Sequence, residues 1–249
     1  MTGSLVIAGL GPGSAELITP EVSEALAEAT DIVGYKPYVE RIPPRDGLVR
    51  HSTDNRQEIE RASHALEMAA AGRKVVVVSS GDPGIFAMAA AVFEALEAGD
   101  PASQTLDIRV LPGISAMLAA SARVGAPLGH DFCCINLSDN LKPWPLIEKR
   151  LRLAAEADFA MAFYNPRSKA RPEGFARTLD ILRDACDQDR VIVFARAVST
   201  ADESVRVTTL ADATPDMADM RTLVIVGSSL TRVIERHGAP LVYTPRSAP

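Results

Sequence analysis

Short apolar runs alternate with runs of helical spacing along the first half of the chain. Buried strands are predicted over 5–8, 31–34, 75–78 and 108–111. The run of valines at 75–78 is apolar at every position, as in a central strand of a parallel sheet. Thr19 and Pro20 predict a helix start, because threonine caps helices and proline suits their first position. Helices are also predicted over 54–71, where Ile59, Ala62, Leu66 and Ala69 recur, and around 89–96.

The same alternation resumes in the second half of the chain. Strands are predicted over 132–137, 159–163, 191–194 and 223–226, and helices over 115–124, 145–155 and 175–186. Pro112 and Gly113 interrupt the pattern without a Gly/Ser linker. We therefore predict an α/β protein of two domains, 1–112 and 113–249, packed over a shared cleft.

Composition and charge narrow the class of protein. The chain is 47% hydrophobic and 23% charged, which is enough to bury a core, and its net charge of −6 disfavours nucleic-acid binding. No apolar run approaches the roughly 20 residues of a membrane span, and no secretory signal is evident. Three cysteines without a C-x-x-C spacing indicate a reducing cytoplasm and no metal site.

A glycine-rich loop, Gly9-Leu-Gly-Pro-Gly13, follows the first predicted strand. Its glycines allow positive φ and a close approach of the backbone to a ligand. A dinucleotide loop would read G-x-G-x-x-G and lead directly into a helix, whereas Pro12 removes one N–H group and the helix signal comes only at Thr19. Phosphate binding is therefore disfavoured, and an ordinary tight turn remains open.

Two more loops of this kind follow later strands, Ser79-Ser-Gly-Asp-Pro-Gly-Ile-Phe86 and Pro112-Gly-Ile-Ser-Ala116. Ligands of open α/β sheets bind at this edge. The Asp82 carboxylate could contact a ligand or cap the following helix, and Ser115 could likewise be only an N-cap.

Taken in order, the three loops resemble those of the tetrapyrrole (precorrin) methyltransferase superfamily, and the resemblance extends from Val6 to Val226. It implies a class III methyltransferase fold, two α/β/α domains with a cleft for S-adenosylmethionine between them, and a homodimer. Three further segments, GYKPY at 34–38, NLSDNLKPW at 136–144 and FYNPRS at 163–168, resemble the branch that methylates C17 of precorrin-3B. That branch contracts the ring to give precorrin-4 in cobalamin biosynthesis.

The resemblance also implies site residues, position by position. The expected cofactor contacts are Pro12, Gly81, Asp82, Pro83, Phe86, Ser115, Ala116, Tyr164 and Ala197. Ala197 stands where some relatives have glycine. Methyl transfer needs positioning rather than a cysteine nucleophile or a metal, but ring contraction moves protons. The candidate acids and bases are Asp139, Tyr164, Asn165 and Glu203, each of which could instead be a turn, packing or surface residue.

A polycarboxylate tetrapyrrole needs cations on the protein. The candidates in or beside the branch-specific segments are Lys36, Tyr38, Arg41, Lys142, Arg167, Lys169 and Arg171, with surface solvation as the alternative for each. Three other functions stay open: a relative that methylates another tetrapyrrole position, a nucleotide-dependent oxidoreductase, and a non-catalytic tetrapyrrole carrier. Whether the substrate carries cobalt is also open.

Overall fold

A computed structural model describes residues 3–54 and 57–247 of the protein. The chain divides into two compact units, the first ending at Ser115 and the second beginning at Ala116. The predicted boundary after residue 112 is three residues earlier than this one. The turn at Gly113 belongs to the first unit because its backbone packs against the backbone of Gly9 and Gly81.

The first unit is a five-stranded parallel sheet of order β3-β2-β4-β1-β5. Its strands are β1 (Ser4–Gly9), β2 (Asp31–Tyr35), β3 (Val49–Thr53), β4 (Lys74–Ser79) and β5 (Asp107–Leu111). Its helices are α1 (Pro20–Glu28), α2 (Lys36–Val39), α3 (Glu58–Ala70) and α4 (Met88–Ala98), with short 3₁₀ helices at Ala15–Leu17 and Pro101–Thr105.

The central strands are buried on both faces. Leu5 and Val75 pack in a cluster with α3 and α4, whereas Val6 and Val76 pack in a second cluster on the other face, with Val22 of α1. This confirms the prediction from the all-apolar run at 75–78. At Thr19 the side chain accepts a hydrogen bond from the Val22 N–H at 3.3 Å, which confirms the predicted start of α1.

Two features of the first unit differ from the sequence pattern. Strand β3 was not predicted, because its residues are largely exposed and only pairing with β2 makes them a strand. Helix α3 begins at Glu58 rather than at 54, and positions 55 and 56 of the predicted helix lie outside the described residues. Its face is also rotated: Ile59 is 47% exposed, whereas Arg61, at 3%, is buried.

The second unit contains a mixed sheet of order β10-β9-β11-β8-β7, in which only β7 and β8 pair in parallel. Its strands are β7 (Phe132–Asn136), β8 (Ala160–Tyr164), β9 (Val191–Arg196), β10 (Ser204–Thr209) and β11 (Thr222–Val226). A small sheet joins β6 (Gly125–Ala126), β12 (Arg232–Ile234) and β13 (Leu241–Tyr243). The helices are α5 (Ala116–Val124), α6 (Trp144–Glu156) and α7 (Gly174–Ala185), with a 3₁₀ helix at Pro215–Met217.

The core of this unit forms where α6 and α7 cover the sheet. Phe175 of α7 meets Phe194 of β9 edge to face, with ring centroids 6.0 Å apart. Leu179 and Leu182 continue the buried stripe of α7, as the spacing predicts. Strands β10, β12 and β13 were not predicted, because their residues lack a continuous apolar pattern. Within the described ranges, no helix combines the length and the apolarity that a membrane crossing requires.

Candidate functional site

The three glycine loops of the first unit meet at the carboxyl edge of its sheet, because β1 lies between β4 and β5. The Gly11 N–H donates to the Gly81 carbonyl at 3.2 Å, and the Gly81 N–H donates back to the Gly11 carbonyl at 2.9 Å. This pair of hydrogen bonds joins the first two loops as a short antiparallel bridge. The ends of β1 and β4 are thereby held in one fixed arrangement.

Where the three loops cross, there is no space for a side chain, so glycine is required. A Cβ atom on Gly9 would lie 2.5 Å from the Gly81 carbonyl oxygen, and a Cβ atom on Gly113 would overlap that same oxygen. Gly81 itself has a φ of +63°, a conformation that favours glycine. The glycines of the three loops are therefore explained first by contact between backbones.

Asp82 ties the second loop to the third. Its Oδ1 accepts a hydrogen bond from the Gly84 N–H at 2.8 Å and its Oδ2 one from the Gly113 N–H at 3.1 Å. It does not cap the next helix: α4 begins at Met88, whose N–H is bonded by the Ser79 hydroxyl at 3.3 Å. The capping alternative is wrong, while contact with a ligand stays a prediction.

Phe86 combines strain with exposure at the end of the second loop. Its φ is +53°, which is unusual for a bulky residue, and its side chain is half exposed. Backbone strain of this kind costs about 1–3 kcal/mol and concentrates at functional sites. Phe86 therefore presents an apolar surface at the end of the second glycine loop.

Arg41 holds the first glycine loop from outside. Its guanidinium donates to the carbonyl oxygens of Leu10, Gly11 and Gly13 at 2.5, 3.3 and 3.1 Å. Burial lowers the pKa of Arg41. Since the observed partner of this guanidinium is the loop, its expected role as a ligand of substrate carboxylates stays a prediction.

Helix α2, which carries Lys36 and Tyr38, follows β2 at the same edge. The Tyr38 ring meets the Tyr35 ring edge to face at 5.3 Å, and burial raises the pKa of its phenol. The Lys36 side chain is exposed. Contact of Lys36 and Tyr38 with a substrate stays a prediction.

Sequence reasoning missed Arg61, a buried cation on α3. Its guanidinium donates to the Thr53 hydroxyl at 2.7 Å and to the Asp54 carbonyl at 2.6 Å, just after β3. Burial lowers the pKa of Arg61. In the sequence, Arg61 is visible only as an arginine next to the apolar stripe of the predicted helix. The partners of Arg61 become clear only from the pairing of strand β3, which was not predicted.

At the second sheet, the polar groups of two parallel strands meet beyond β7 and β8. The Tyr164 hydroxyl accepts a hydrogen bond from the Met117 N–H at 3.1 Å, in the first turn of α5. Asn165, with a φ of +52°, donates its side-chain amide to Asn136 Oδ1 at 3.1 Å. Two predicted residues are thus fixed at one edge, close to Ala116, the first residue of α5.

Ala197 follows β9 with a φ of +49° and is buried. An alanine rarely adopts this conformation, whereas glycine does so freely. Glycine at this position would relieve the strain. Ser115, by contrast, is the buried last residue of the first unit.

Glu203 is bound on two sides. Its carboxylate accepts hydrogen bonds from Arg123 Nε at 2.8 Å and from the Ser199 N–H at 2.5 Å. Burial raises the pKa of the Glu203 carboxyl, but the Ser199 hydrogen bond and the Arg123 guanidinium outweigh it and hold the pKa below its usual value. Glu203 thus ties this loop to α5, and its role as an acid or base stays a prediction.

The remaining candidates lie in the loops after β7 and β8. Asp139 Oδ1 is 3.8 Å from Arg171 Nε, and Lys142 is near enough to Arg171 for the two charges to interact. Arg167 is half-buried, and its Nε has no hydrogen-bond partner among the described residues. Lys169 is exposed.

Comparison with known proteins identifies the chain at the level of family. The sequence profile described as "Tetrapyrrole (Corrin/Porphyrin) Methylases" matches residues 4–214. The chain belongs to the tetrapyrrole methylase family. It is 52% identical over 247 residues to a Sinorhizobium protein named precorrin-3B C(17)-methyltransferase, covering 99% of this chain and 97% of the relative.

Solved structures agree with this assignment. The crystal structure of the methyltransferase CobJ is 66% identical, with a TM-score of 0.93, and the match covers 98% of this chain and 100% of that one. A uroporphyrin-III C-methyl transferase from Thermus thermophilus, complexed with S-adenyl homocysteine, shares the fold at 22% identity and a TM-score of 0.69, over 90% of this chain and 97% of that one.

The predicted fold class and enzyme class are confirmed: this tetrapyrrole methylase is a C-methyltransferase with the class III α/β fold. An oxidoreductase with a dinucleotide loop and a non-catalytic carrier are no longer candidates.

Replacing Gly113 by alanine is expected to destabilise this methylase by about 1–3 kcal/mol, because the added methyl overlaps the Gly81 carbonyl and the backbone must move. Guanidinium-induced unfolding measures the change. Gly174→Ala is the matched control, since a Cβ there would meet Trp144 at an ordinary 3.7 Å. Equal stability of the two variants would contradict the packing argument.

The Glu203→Gln substitution is expected to lower the free energy of unfolding by about 1 kcal/mol or less at neutral pH, because the ion pair of Glu203 with Arg123 is partly exposed. Since the folded pKa of Glu203 is lowered, its stabilising effect is present above the unfolded pKa and is lost as pH falls through the folded one. Unfolding of both proteins between pH 7 and pH 3, roughly spanning the usual Glu range, measures it. A difference in stability between the two proteins that grows as the pH falls would contradict this prediction.

Proposed function

We propose that this methylase transfers a methyl group from S-adenosylmethionine to C17 of precorrin-3B and contracts the ring to give precorrin-4 in cobalamin biosynthesis. The observation that carries the proposal is the 52% identity to a precorrin-3B C(17)-methyltransferase over nearly the whole of both chains. The segments at 34–38, 136–144 and 163–168, which resemble the C17 branch, support it independently of the glycine loops.

The cofactor contacts that we propose are those expected from the sequence: Pro12, Gly81, Asp82, Pro83, Phe86, Ser115, Ala116, Tyr164 and Ala197. The residues suit S-adenosylmethionine. The glycine loops offer backbone groups and the exposed ring of Phe86, and the cation beside them, Arg41, is already held by carbonyl oxygens. Such a surface suits a cofactor that is bound by backbone groups of the protein and by apolar contacts. It suits a cofactor bound through phosphates less well.

When bound, S-adenosylmethionine supplies an electrophilic methyl group for in-line displacement at the methyl carbon, from which the sulfur leaves as the thioether of S-adenosylhomocysteine. The task of the chain is to hold the accepting carbon in line, and orientation of this kind is worth about 7–11 kcal/mol. Loops fixed by Gly11–Gly81 pairing and by Asp82 suit this task, because they lose little freedom when a ligand binds. Ring contraction additionally needs an acid or base, and the candidates that we propose for it are Asp139, Tyr164, Asn165 and Glu203.

The substrate is a polycarboxylate, and we propose that its carboxylates are met by the cations and the phenol of the branch-specific segments: Lys36, Tyr38, Lys142, Arg167, Lys169 and Arg171, with Arg41 as the weakest candidate. We further propose that the protein works in the cytoplasm as a homodimer, on the basis of the family resemblance. Sedimentation equilibrium at micromolar protein measures the second point, and a monomer there would contradict it.

The product of the reaction tests the proposed function. Precorrin-3B and S-adenosylmethionine carrying a ¹³C-methyl group are incubated with the protein, and the product is analysed by mass spectrometry and carbon NMR. We expect one labelled methyl at C17 and an acetyl group from the expelled ring carbon. A label at any other carbon would assign the chain to another position, and faster turnover of the cobalt-bearing substrate would move it to the cobalt route.

The role of Arg41 is testable with a matched pair of variants. Arg41→Met is expected to weaken binding of S-adenosylhomocysteine about tenfold, because the first loop loses charge-assisted hydrogen bonds, with the KM for the tetrapyrrole unchanged. Arg45→Met is the control, since Arg45 also donates to backbone carbonyls, those of Leu26 and Ala29, near the end of α1. A raised tetrapyrrole KM with normal cofactor affinity would restore Arg41 as a substrate ligand.

A further inference from the structure

A cavity of about 250 Å³ lies in the second unit, where the loops after β7 and β8 meet the starts of α6 and α7. Asp139 and Trp144 line it from one branch-specific segment, and Arg171 lines it from just beyond another. Glu173 and Arg177, at the start of α7, complete the charged lining. The cavity therefore brings together segments that are far apart in sequence. These segments lie outside the glycine loops.

Arg171 contributes a largely buried guanidinium to the cavity, with 17% of its side chain exposed. The guanidinium forms an ion pair with Asp139 at 3.8 Å and contacts Met220 Sδ at 4.0 Å. Neither is a hydrogen bond to oxygen. A guanidinium in this position has donors to offer to an acceptor that enters the cavity.

Trp144 and Arg177 form the second half of the lining. The Arg177 guanidinium lies 4.4 Å from the centre of the Trp144 ring, a cation–π contact, and has no carboxylate within 4.0 Å in the part of the chain that the structure describes. The Trp144 Nε1–H is buried and has no hydrogen-bond partner among the same residues.

The charges around the cavity favour an anion. Its two carboxylates, those of Asp139 and Glu173, are exposed to solvent, whereas Arg171 is largely buried. Burial lowers the pKa of the nearby Lys142, and repulsion from Arg150 and Arg171 lowers it further, against the opposite effect of Asp139. The protein's own carboxylates therefore do not fully neutralise the positive charge in this part of the surface.

We propose that this cavity binds one side-chain carboxylate of the tetrapyrrole substrate, between the guanidinium groups of Arg171 and Arg177. The identity of the ligand rests on the proposed function, because the carboxylate is taken to be the substrate's. A carboxylate has two oxygens and accepts several hydrogen bonds, so it can accept from both guanidinium groups. Arg177 becomes a substrate-binding residue that the sequence did not indicate.

Steady-state kinetics tests the role in the reaction. Arg171→Met and Arg177→Met are each expected to raise the KM for precorrin-3B about tenfold, with the KM for S-adenosylmethionine and the melting temperature unchanged. Arg171→Lys should recover only part of the loss, because lysine cannot donate in a bidentate manner. Arg152→Met on α6, where Arg152 pairs with Glu148 at the surface, is the control. An unchanged tetrapyrrole KM in both methionine variants would overturn the proposal.

A second measurement does not depend on turnover. Trp144 is the chain's single tryptophan, so its fluorescence reports on the cavity alone. Titration with sodium propionate at constant ionic strength is expected to change this fluorescence with a saturable curve, propionamide should not, and Arg171→Met should abolish the change. No response to propionate, or an equal one to chloride, would overturn the site. A saturable response in a protein that does not methylate precorrin-3B would keep the carboxylate site and refute the proposed function.

Discussion

The contact on which the first unit depends is the meeting of three backbones at the carboxyl edge of its sheet. Gly9, Gly81 and Gly113 approach so closely that a Cβ on Gly9 or on Gly113 would collide with the Gly81 carbonyl. The adjacent order β4-β1-β5 brings the three loops together. The mutual hydrogen bonds of Gly11 and Gly81 join the first two loops, and Asp82 joins the second to the third. A ligand at this edge meets backbone groups whose positions are set by the sheet itself.

Charged side chains around this crossing serve the backbone. Both oxygens of Asp82 accept from loop N–H groups, and the Arg41 guanidinium donates to three loop carbonyls. Such charge-assisted hydrogen bonds are stronger than neutral ones and restrict a loop that contains several glycines. The methylase thus combines flexible residue types with a rigid arrangement, which suits a reaction that depends on positioning.

The second unit uses a different means to present its residues. Asn165 and Ala197 both follow strands in the left-handed region, which turns the chain sharply at the sheet edge. Glu203 then joins the loop after β9 to α5 through Ser199 and Arg123. Two of the three segments that resemble the C17 branch, 136–144 and 163–168, lie in this unit, which in our proposal contributes to selectivity for the tetrapyrrole.

The sequence by itself determined the alternation of strands and helices, the start of α1 at Thr19 and the three glycine loops. Each of these depends on local pattern or on a few neighbouring residues. Only the tertiary structure decided the existence of β3, the burial of Arg61, the partners of Asp82 and Arg41, and the stacking of Arg177 on Trp144. The physical reason is that a hydrogen bond or ring contact between residues distant in sequence depends on sheet order and helix rotation, which local spacing does not encode.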